Sequence, residues 1–170
     1  GFTFDDTDSK GVATSLAEMT RLVEKNPGNS KVIFPYIGGE EVISSPTHSH
    51  HRYVMNFGER SEDECRRHWP DLMDIVESKV KPDRENQGSI VNTDRWWMFA
   101  RPASDLYDAA TGLSRLLCCT LHSKDLSFAF LPAQSVFSHG LAVFATDTYS
   151  AFATLQSRAH ETWARFLGSS

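Results

Sequence analysis

The sequence has few cysteines and no long hydrophobic run. Hydrophobic residues make up 40% of its 170 residues. No apolar stretch approaches the ~20 residues that a membrane helix needs, so we expect no membrane partner. Of the three cysteines, Cys118 and Cys119 are adjacent in an apolar run, which predicts small buried hydrophobic side chains. An odd, small number of cysteines builds no disulfide framework, and we expect a reducing, cytoplasmic location.

Positive charge is also scarce. The chain has 17 Lys/Arg against 22 Asp/Glu and a net charge of −5. By itself this balance disfavours a nucleic-acid-binding protein. The acid is concentrated in the first part, because residues 1–78 hold 8 Lys/Arg and 14 Asp/Glu whereas residues 79–170 hold 9 and 8. A locally basic face is therefore compatible with the sequence.

The motifs of a self-sufficient catalytic centre are missing. The chain has no GxSxG elbow, no Walker A or GxGxxG phosphate loop, and no CxxC or HExxH. Phe34-Pro35-Tyr36 lacks the second proline and the polar first residue of the Pro-Pro-aromatic turn in amino-methyltransferases. The histidines of residues 44–51 lack the four tetrahedral ligands of zinc, so a solvated loop is the prediction. We therefore predict neither a catalytic residue nor a metal ligand, which leaves a small hydrolase the least favoured function.

Two capping boxes predict helix starts at Ser15 and Ser61, each followed by glutamate at the third helical position and then by apolar residues at helical spacing. Pro70 should kink or split the second helix. A polar connection is predicted over residues 81–94 and a short helix over 104–110. A last helix should be capped by Asp147, with Trp163 on its apolar stripe.

The run Arg95-Trp-Trp-Met-Phe-Ala-Arg-Pro102 predicts a buried strand over Trp96–Ala100. Aromatic residues favour a pleated, half-buried surface, and Pro102 cannot continue a central ladder. We predict that this strand pairs antiparallel with Arg52–Gly58, which would place Arg52 and Arg101 at one sheet edge. Two guanidinium groups there would favour an anion between them.

The whole pattern predicts an α+β fold, with a mixed, mainly antiparallel sheet and flanking helices in a single domain. Other strands are predicted at residues 31–36, 115–121, 127–131 and 141–145. Residues 15–170 would form the domain, and residues 1–14 are predicted to be a disordered or peripheral leader.

The order of several motifs resembles a known family. The pieces are Asn26-Pro27, Pro35–Val42, Arg52–Gly58, Trp69-Pro70, Val80–Arg84, Trp96–Pro102 and Phe152–Ala164. In this order they are similar to the C-terminal target-recognition region of the Eco57I-like and MmeI-like enzymes. These are bifunctional restriction–modification, adenine-specific DNA methyltransferases. The resemblance covers most of residues 15–170, and its specificity lies in the order of the pieces rather than in any single piece.

The resemblance implies a DNA sequence-recognition domain that belongs to a larger enzyme of bacterial defence. In that family an upstream Rossmann-like domain holds S-adenosylmethionine and the Asn/Asp-Pro-Pro-Tyr turn, and many members also carry a nuclease. The expected partners are double-stranded DNA and the methyltransferase domain of the same parent chain. No cofactor is expected in this chain, and S-adenosylmethionine is expected in the parent enzyme.

Cations near predicted strand ends and polar loop residues are the candidate DNA contacts, because phosphate contacts position a protein and polar side chains read base edges. The candidates are Arg52, Arg84, Arg95, Arg101, Lys124, Gln134, Ser138 and His139. For each cation, solvated surface charge or a salt bridge remains the alternative. The four tryptophans are predicted to be core residues. For the whole chain, the alternative function is a protein-interaction or subunit-docking module without DNA contact.

Overall fold

The computed structural model describes residues 2–86, 94–99 and 102–167. Within them the helices are α1 Leu16–Lys25, a 3₁₀ helix Pro27–Val32, α2 Gly39–Ser44, α3 Glu62–His68, α4 Pro70–Lys79, α5 Lys81–Asn86, α6 Ser104–Ala109, α7 Tyr149–Leu155 and α8 Arg158–Leu167. The strands are β1 Thr3–Phe4, β2 Ile33–Ile37, β3 Arg52–Met55, β4 Arg115–Thr120, β5 Phe128–Pro132, β6 Val136–Phe137 and β7 Leu141–Phe144. The predicted α+β class with mainly antiparallel pairing is confirmed. Two compact units make up the chain, one of residues 1–35 and 51–102 and the other of residues 36–50 and 103–170.

The helices of the first unit begin where the capping residues predict. The hydroxyl oxygens of Ser15 and Ser61 accept hydrogen bonds from backbone N–H groups in the first turns of α1 and α3. Pro70 separates α3 from α4, because proline suits the first turn of a new helix and cannot continue an old one. Met73 and Leu22 are buried in the core of this unit.

The first residues of the chain contribute to that core. Phe4 is fully buried, and β1 pairs antiparallel with β3, with Phe4 opposite Tyr53. The Asp8 carboxylate holds the turn that follows it, since it accepts hydrogen bonds from the backbone of Lys10, Val12 and Ala13. Phe4 and β1 therefore belong to the core and sheet of the first unit, which the prediction of a leader did not include.

The predicted strand over Trp96–Ala100 is wrong for the residues that the structure describes. Asp94–Trp97 form a turn, closed by a hydrogen bond of 3.0 Å from Met98 N to Arg95 O. A strand would send consecutive side chains to opposite faces. The turn instead lets Trp96 and Trp97 both enter one core, with their rings nearly perpendicular and 5.9 Å apart.

Two further expectations change with that turn. β3 pairs with β1 rather than with the tryptophan segment. The predicted pairing that would place Arg52 and Arg101 at one sheet edge is therefore not formed by the described residues. Arg101 itself lies outside them. The segment predicted as a polar connection after residue 80 begins with the helix α5.

The second unit is built around β4, which pairs antiparallel with β5 on one side and β7 on the other. These three strands match the prediction within two residues at each end. One face of β4 packs in a core with Val42 of α2 and Ala110 after α6, and the other face packs with Phe152 of α7. The short strand β6, which the sequence did not predict, runs parallel to the end of β2.

The last helix differs from its prediction in three ways. Thr148, rather than Asp147, caps α7 with its hydroxyl oxygen. The predicted single helix is two helices, α7 and α8. Trp163 is 62% exposed, so its assignment to the core is wrong, whereas the other three tryptophans are buried.

The three cysteines are free and buried, as predicted. Burial raises the pKa of Cys118 to about 12, and the neighbouring Cys119 adds to the rise. Burial likewise raises the pKa of Cys65 to about 11, with Glu64 and Glu62 adding to the rise and Arg60 opposing it. These thiols are packing groups rather than nucleophiles.

Candidate nucleic-acid interface

Two side chains of the first unit connect the turn of residues 94–98 to its surroundings by hydrogen bonds. Arg84 donates hydrogen bonds to the carbonyl oxygens of Arg95 (3.2 Å) and Met98 (2.7 Å). The indole Nε1 of Trp97 donates to the carbonyl oxygen of Arg60 at 2.9 Å. Burial lowers the pKa of the Arg84 guanidinium. Arg84, one of the predicted DNA contacts, therefore supports the turn in this structure.

Other cations beside the turn are already neutralised. The Arg66 guanidinium and the Lys81 ammonium lie over the Trp96 ring, 5.7 and 5.2 Å from its centroid. Both also pair with the carboxylate of Glu77, at 2.9 and 3.1 Å. The hydrogen bonds that the Arg66 guanidinium donates to the carboxylates of Glu62 and Glu77 raise the pKa of Arg66. A cation that is paired in this way attracts a phosphate less than an unpaired one does.

Arg95 is different, because its side chain is exposed at the surface of the supported turn. Among the residues that the structure describes, its guanidinium makes neither a hydrogen bond nor an ion pair. It borders a cleft of about 450 Å³. The cleft is lined by Glu59, Arg60, Ser61, Glu62, Arg95, Trp97 and Met98. Of the predicted cations that the structure describes in this unit, Arg95 is therefore the one whose guanidinium is most available to an anion.

Arg52 begins β3 and is half-buried. The pKa of Asp5 is lowered despite its partial burial, first by hydrogen bonds with Thr7 and then by the charges of Arg52 and His51. The guanidinium of Arg52 therefore lies close enough to the Asp5 carboxylate to lower the pKa of Asp5.

In the second unit, two loops meet at one end of the sheet β5-β4-β7. The loop of residues 121–127 follows β4, and the loop of residues 138–140 precedes β7. The two loops are joined by a hydrogen bond of 2.9 Å from Leu121 N to Gly140 O. The predicted contacts Lys124, Ser138 and His139 lie on these loops.

Gln134 lies at the opposite end of that sheet. It follows Pro132, which pairs with Arg115 at the start of β4. The loops that carry Lys124 and His139 adjoin the other end of β4, where Thr120 pairs with Leu141. The structure therefore brings three of the four predicted contacts of this unit to one sheet end and separates Gln134 from them.

His122 is a residue at this end that the list of predicted contacts omitted. Its ring lies beside Gly140, since a Cβ built on Gly140 would be 3.9 Å from His122 Cδ2. Its sequence signal was its place directly after a buried strand. The sequence does not show that the loop before β7 lies beside the loop after β4, because that follows from the pairing of β7 with β4. His122 was therefore not predicted as a contact.

Two negative findings apply to the residues 2–86, 94–99 and 102–167. No three His, Cys, Asp or Glu side chains are grouped there in a way that could hold a metal ion. None of the helices in these ranges has the length and the apolar character that crossing a membrane requires.

Comparison with known proteins gives a structural match. No protein-family model matches the chain, and no curated protein matches it. A solved structure of the Type IIL restriction-modification enzyme MmeI in complex with DNA aligns with it at a TM-score of 0.62 and 16% sequence identity. The chain shares the fold of one part of MmeI. The match covers 99% of this chain and 20% of the MmeI chain, so this chain spans about a fifth of that protein.

Proposed function

We propose that this chain is the DNA sequence-recognition domain of a restriction–modification-type adenine-N6 DNA methyltransferase. The observation that carries the proposal is the fold match, because nearly the whole chain aligns with part of an enzyme that was solved bound to DNA. The order of sequence motifs supports the same family independently of the fold. Each compact unit also has exposed candidate contacts for DNA, Arg95 in one and Lys124 with His139 in the other.

In this proposal the chemistry belongs to another part of the parent chain. S-adenosylmethionine would bind in that methyltransferase domain, which is also the proposed intramolecular partner. The support within this chain is the missing Pro-Pro-aromatic turn at Phe34-Pro35-Tyr36. The chain would then choose where the parent enzyme acts, without being an enzyme itself.

Direct titration of the 170-residue chain with duplex DNA tests the proposal. The probe is a fluorescein-labelled 20-base-pair duplex of mixed sequence, and the measurement is its anisotropy at ~50 and ~150 mM salt. Because the net charge is −5, we expect weak binding, with a dissociation constant in the ~10⁻⁴–10⁻⁶ M range. The dissociation constant should increase steeply with the salt concentration. Absence of binding at low salt would contradict the DNA contact. Binding tighter than micromolar at ~150 mM salt would contradict the need for a parent domain.

One observation favours the second function, a docking module. On α8 the side chains of Trp163, Phe166 and Leu167 share one face and are 62%, 85% and 59% exposed. A contiguous apolar stripe of this kind is typical of a surface that another polypeptide covers. Sedimentation of the chain with and without Phe166→Glu tests this function. A concentration-dependent dimer that the substitution abolishes would support it, and a monomer in both cases would count against self-association.

A further inference from the structure

We propose that the loops of residues 121–127 and 138–140 form one phosphate-binding surface whose affinity for DNA is controlled by protonation of His122 and His139. This inference rests on the proposed function and deepens it. It adds His122 to the contacts predicted from sequence, and it gives the second unit a pH-dependent role in DNA binding.

The two loops are held side by side by the sheet. The last residue of β4 pairs with the first residue of β7, and Leu121 N then donates to Gly140 O at 2.9 Å. A Cβ on Gly140 would lie 3.5 Å from Ser138 Oγ and 3.9 Å from His122 Cδ2. His122 and the loop that carries His139 are therefore within one phosphate group's reach of each other.

The backbone of both loops is anchored. The carbonyl oxygen of Lys124 accepts a hydrogen bond of 2.8 Å from the guanidinium of Arg165 on α8. Ser138 N donates to Ile37 O at 2.9 Å, and Ser138 Oγ accepts from Gly140 N at 3.3 Å. The side chains of His122, Lys124 and His139 remain exposed on this fixed backbone. A surface that is ordered before binding loses less conformational entropy when an anion arrives.

The charged groups on these loops and on the helices packed against them are Lys124, Asp125, Glu40, Glu41, Arg158, Glu161 and Arg165. His160 is a further titratable group on α8, and its Nδ1 lies 2.7 Å from the carbonyl oxygen of Leu155. Arg165 is compensated by Glu161 at 2.9 Å. The Glu41 carboxylate is buried and accepts a hydrogen bond from Gly38 N at 2.9 Å. The exposed charges that remain are two cations, Lys124 and Arg158, and the carboxylates of Asp125 and Glu40.

The two imidazoles therefore decide whether the local charge is balanced or positive. With both neutral, two cations balance two carboxylates and the surface has no net charge to attract phosphate. With both protonated, four cations outnumber two carboxylates and the surface attracts phosphate. Histidine is the side chain that ordinarily changes its charge between pH 5 and 8. Because DNA favours the protonated form, the gain in affinity is present at low pH and is lost as the pH rises.

The salt dependence of DNA binding at two pH values tests this inference. The probe is the fluorescein-labelled mixed duplex, titrated with the 170-residue chain at pH 6 and pH 8. Each phosphate neutralised contributes about 0.9 to the slope of log affinity against log salt. We expect the slope to be steeper by about two units at pH 6 than at pH 8. The double variant His122→Gln/His139→Gln should lose this difference. His68→Gln, an exposed histidine of the first unit, should keep it.

The outcomes separate the two proposals. If the wild-type chain binds and the double variant keeps the full pH-dependent slope, the inference is overturned while the DNA-binding function stands. A wild-type slope that is the same at both pH values would also overturn the inference and leave the DNA-binding function standing. If the wild-type chain does not bind at pH 6 and low salt, both proposals are overturned. Imidazole NMR resonances give an independent readout, since those of His122 and His139 should move on addition of DNA and that of His68 should not.

Discussion

The guanidinium of Arg84 is hydrogen bonded to the carbonyl oxygen of Met98 at 2.7 Å, across a separation of 14 residues. A second bond from the same guanidinium reaches the carbonyl of Arg95. One side chain of α5 thus fixes both ends of the turn that buries Trp96 and Trp97. The positions of these aromatics, and the exposure of Arg95, depend on this contact.

Replacement of Arg84 by methionine should destabilise the chain. Hydrogen bonds to a charged group typically contribute ~1.5–3 kcal/mol, and two carbonyl acceptors would lose their donor. We expect the free energy of unfolding in urea to fall by about 2 kcal/mol. Arg21→Met is a suitable control, because Arg21 makes an exposed ion pair with Glu18 and its replacement should lower the free energy of unfolding much less. Equal effects of the two substitutions would show that the turn does not depend on Arg84.

Arg95→Ala should weaken DNA binding without lowering stability. Its guanidinium is exposed beside the cleft, so its removal breaks no internal contact in the described structure. We expect the salt slope of binding to flatten by about one unit if Arg95 contacts a phosphate. The matched control is Arg67→Ala, which removes an exposed arginine of α3 and the same charge. If both variants bind alike, Arg95 contributes only to net charge and is not part of the interface.

The buried thiols predict a loss of stability in alkali. Burial raises the pKa of Cys118 to about 12, above that of a thiol in the unfolded chain. The unfolded state therefore releases this proton first, so the contribution to stability is complete below about pH 8.5 and is lost as the pH rises towards 12. Cys118→Ala should reduce the slope of unfolding free energy between pH 9 and 11 by up to about 1.4 kcal/mol per pH unit. An unchanged slope, measured by urea unfolding at each pH, would contradict the raised pKa of Cys118 in the folded chain.

The isolated chain should transfer no methyl group. Phe34 cannot supply the polar acceptor that holds a target amino group, and the second proline of the turn is missing. Incubation with isotope-labelled S-adenosylmethionine and duplex DNA should leave the DNA unlabelled. Labelled DNA, once a contaminating enzyme has been excluded, would show that this chain carries the chemistry itself.

Single residues in the sequence predicted the boundaries of helices where the chemistry of that residue has one structural consequence. Ser15 and Ser61 cap helices because their hydroxyl oxygens satisfy free backbone N–H groups, and Pro70 ends α3 because it has no N–H. Apolar runs likewise predicted β4, β5 and β7, because a short apolar run between turn residues is typical of a buried strand. The error at Trp96–Trp97 arose because hydrophobicity predicts burial but not whether a strand or a turn achieves it.

The candidate site was less predictable, because it depends on which loops a sheet brings together. Ser138 and His139 could be selected as exposed polar residues, but their proximity to His122 follows from the register of β4 with β7. Gln134 has the same kind of sequence context and lies at the other sheet end. Arg84 matched the expected residue type, yet its hydrogen bonds to two carbonyl oxygens join it to residues 11 and 14 positions away, and the sequence does not reveal these contacts.

A hybrid enzyme tests whether this chain selects the DNA sequence on which its parent enzyme acts. The 20% of the MmeI chain that aligns with this protein would be replaced by the 170-residue chain, and methylated sites in a DNA library would be mapped by sequencing. We expect methylation at a new, defined sequence, and weaker methylation at that same sequence when Arg95 or His122 is substituted, because phosphate contacts supply affinity rather than sequence choice. Methylation by a folded hybrid at the original MmeI sequence, or at sites without a common sequence, would contradict a sequence-recognition role for this chain.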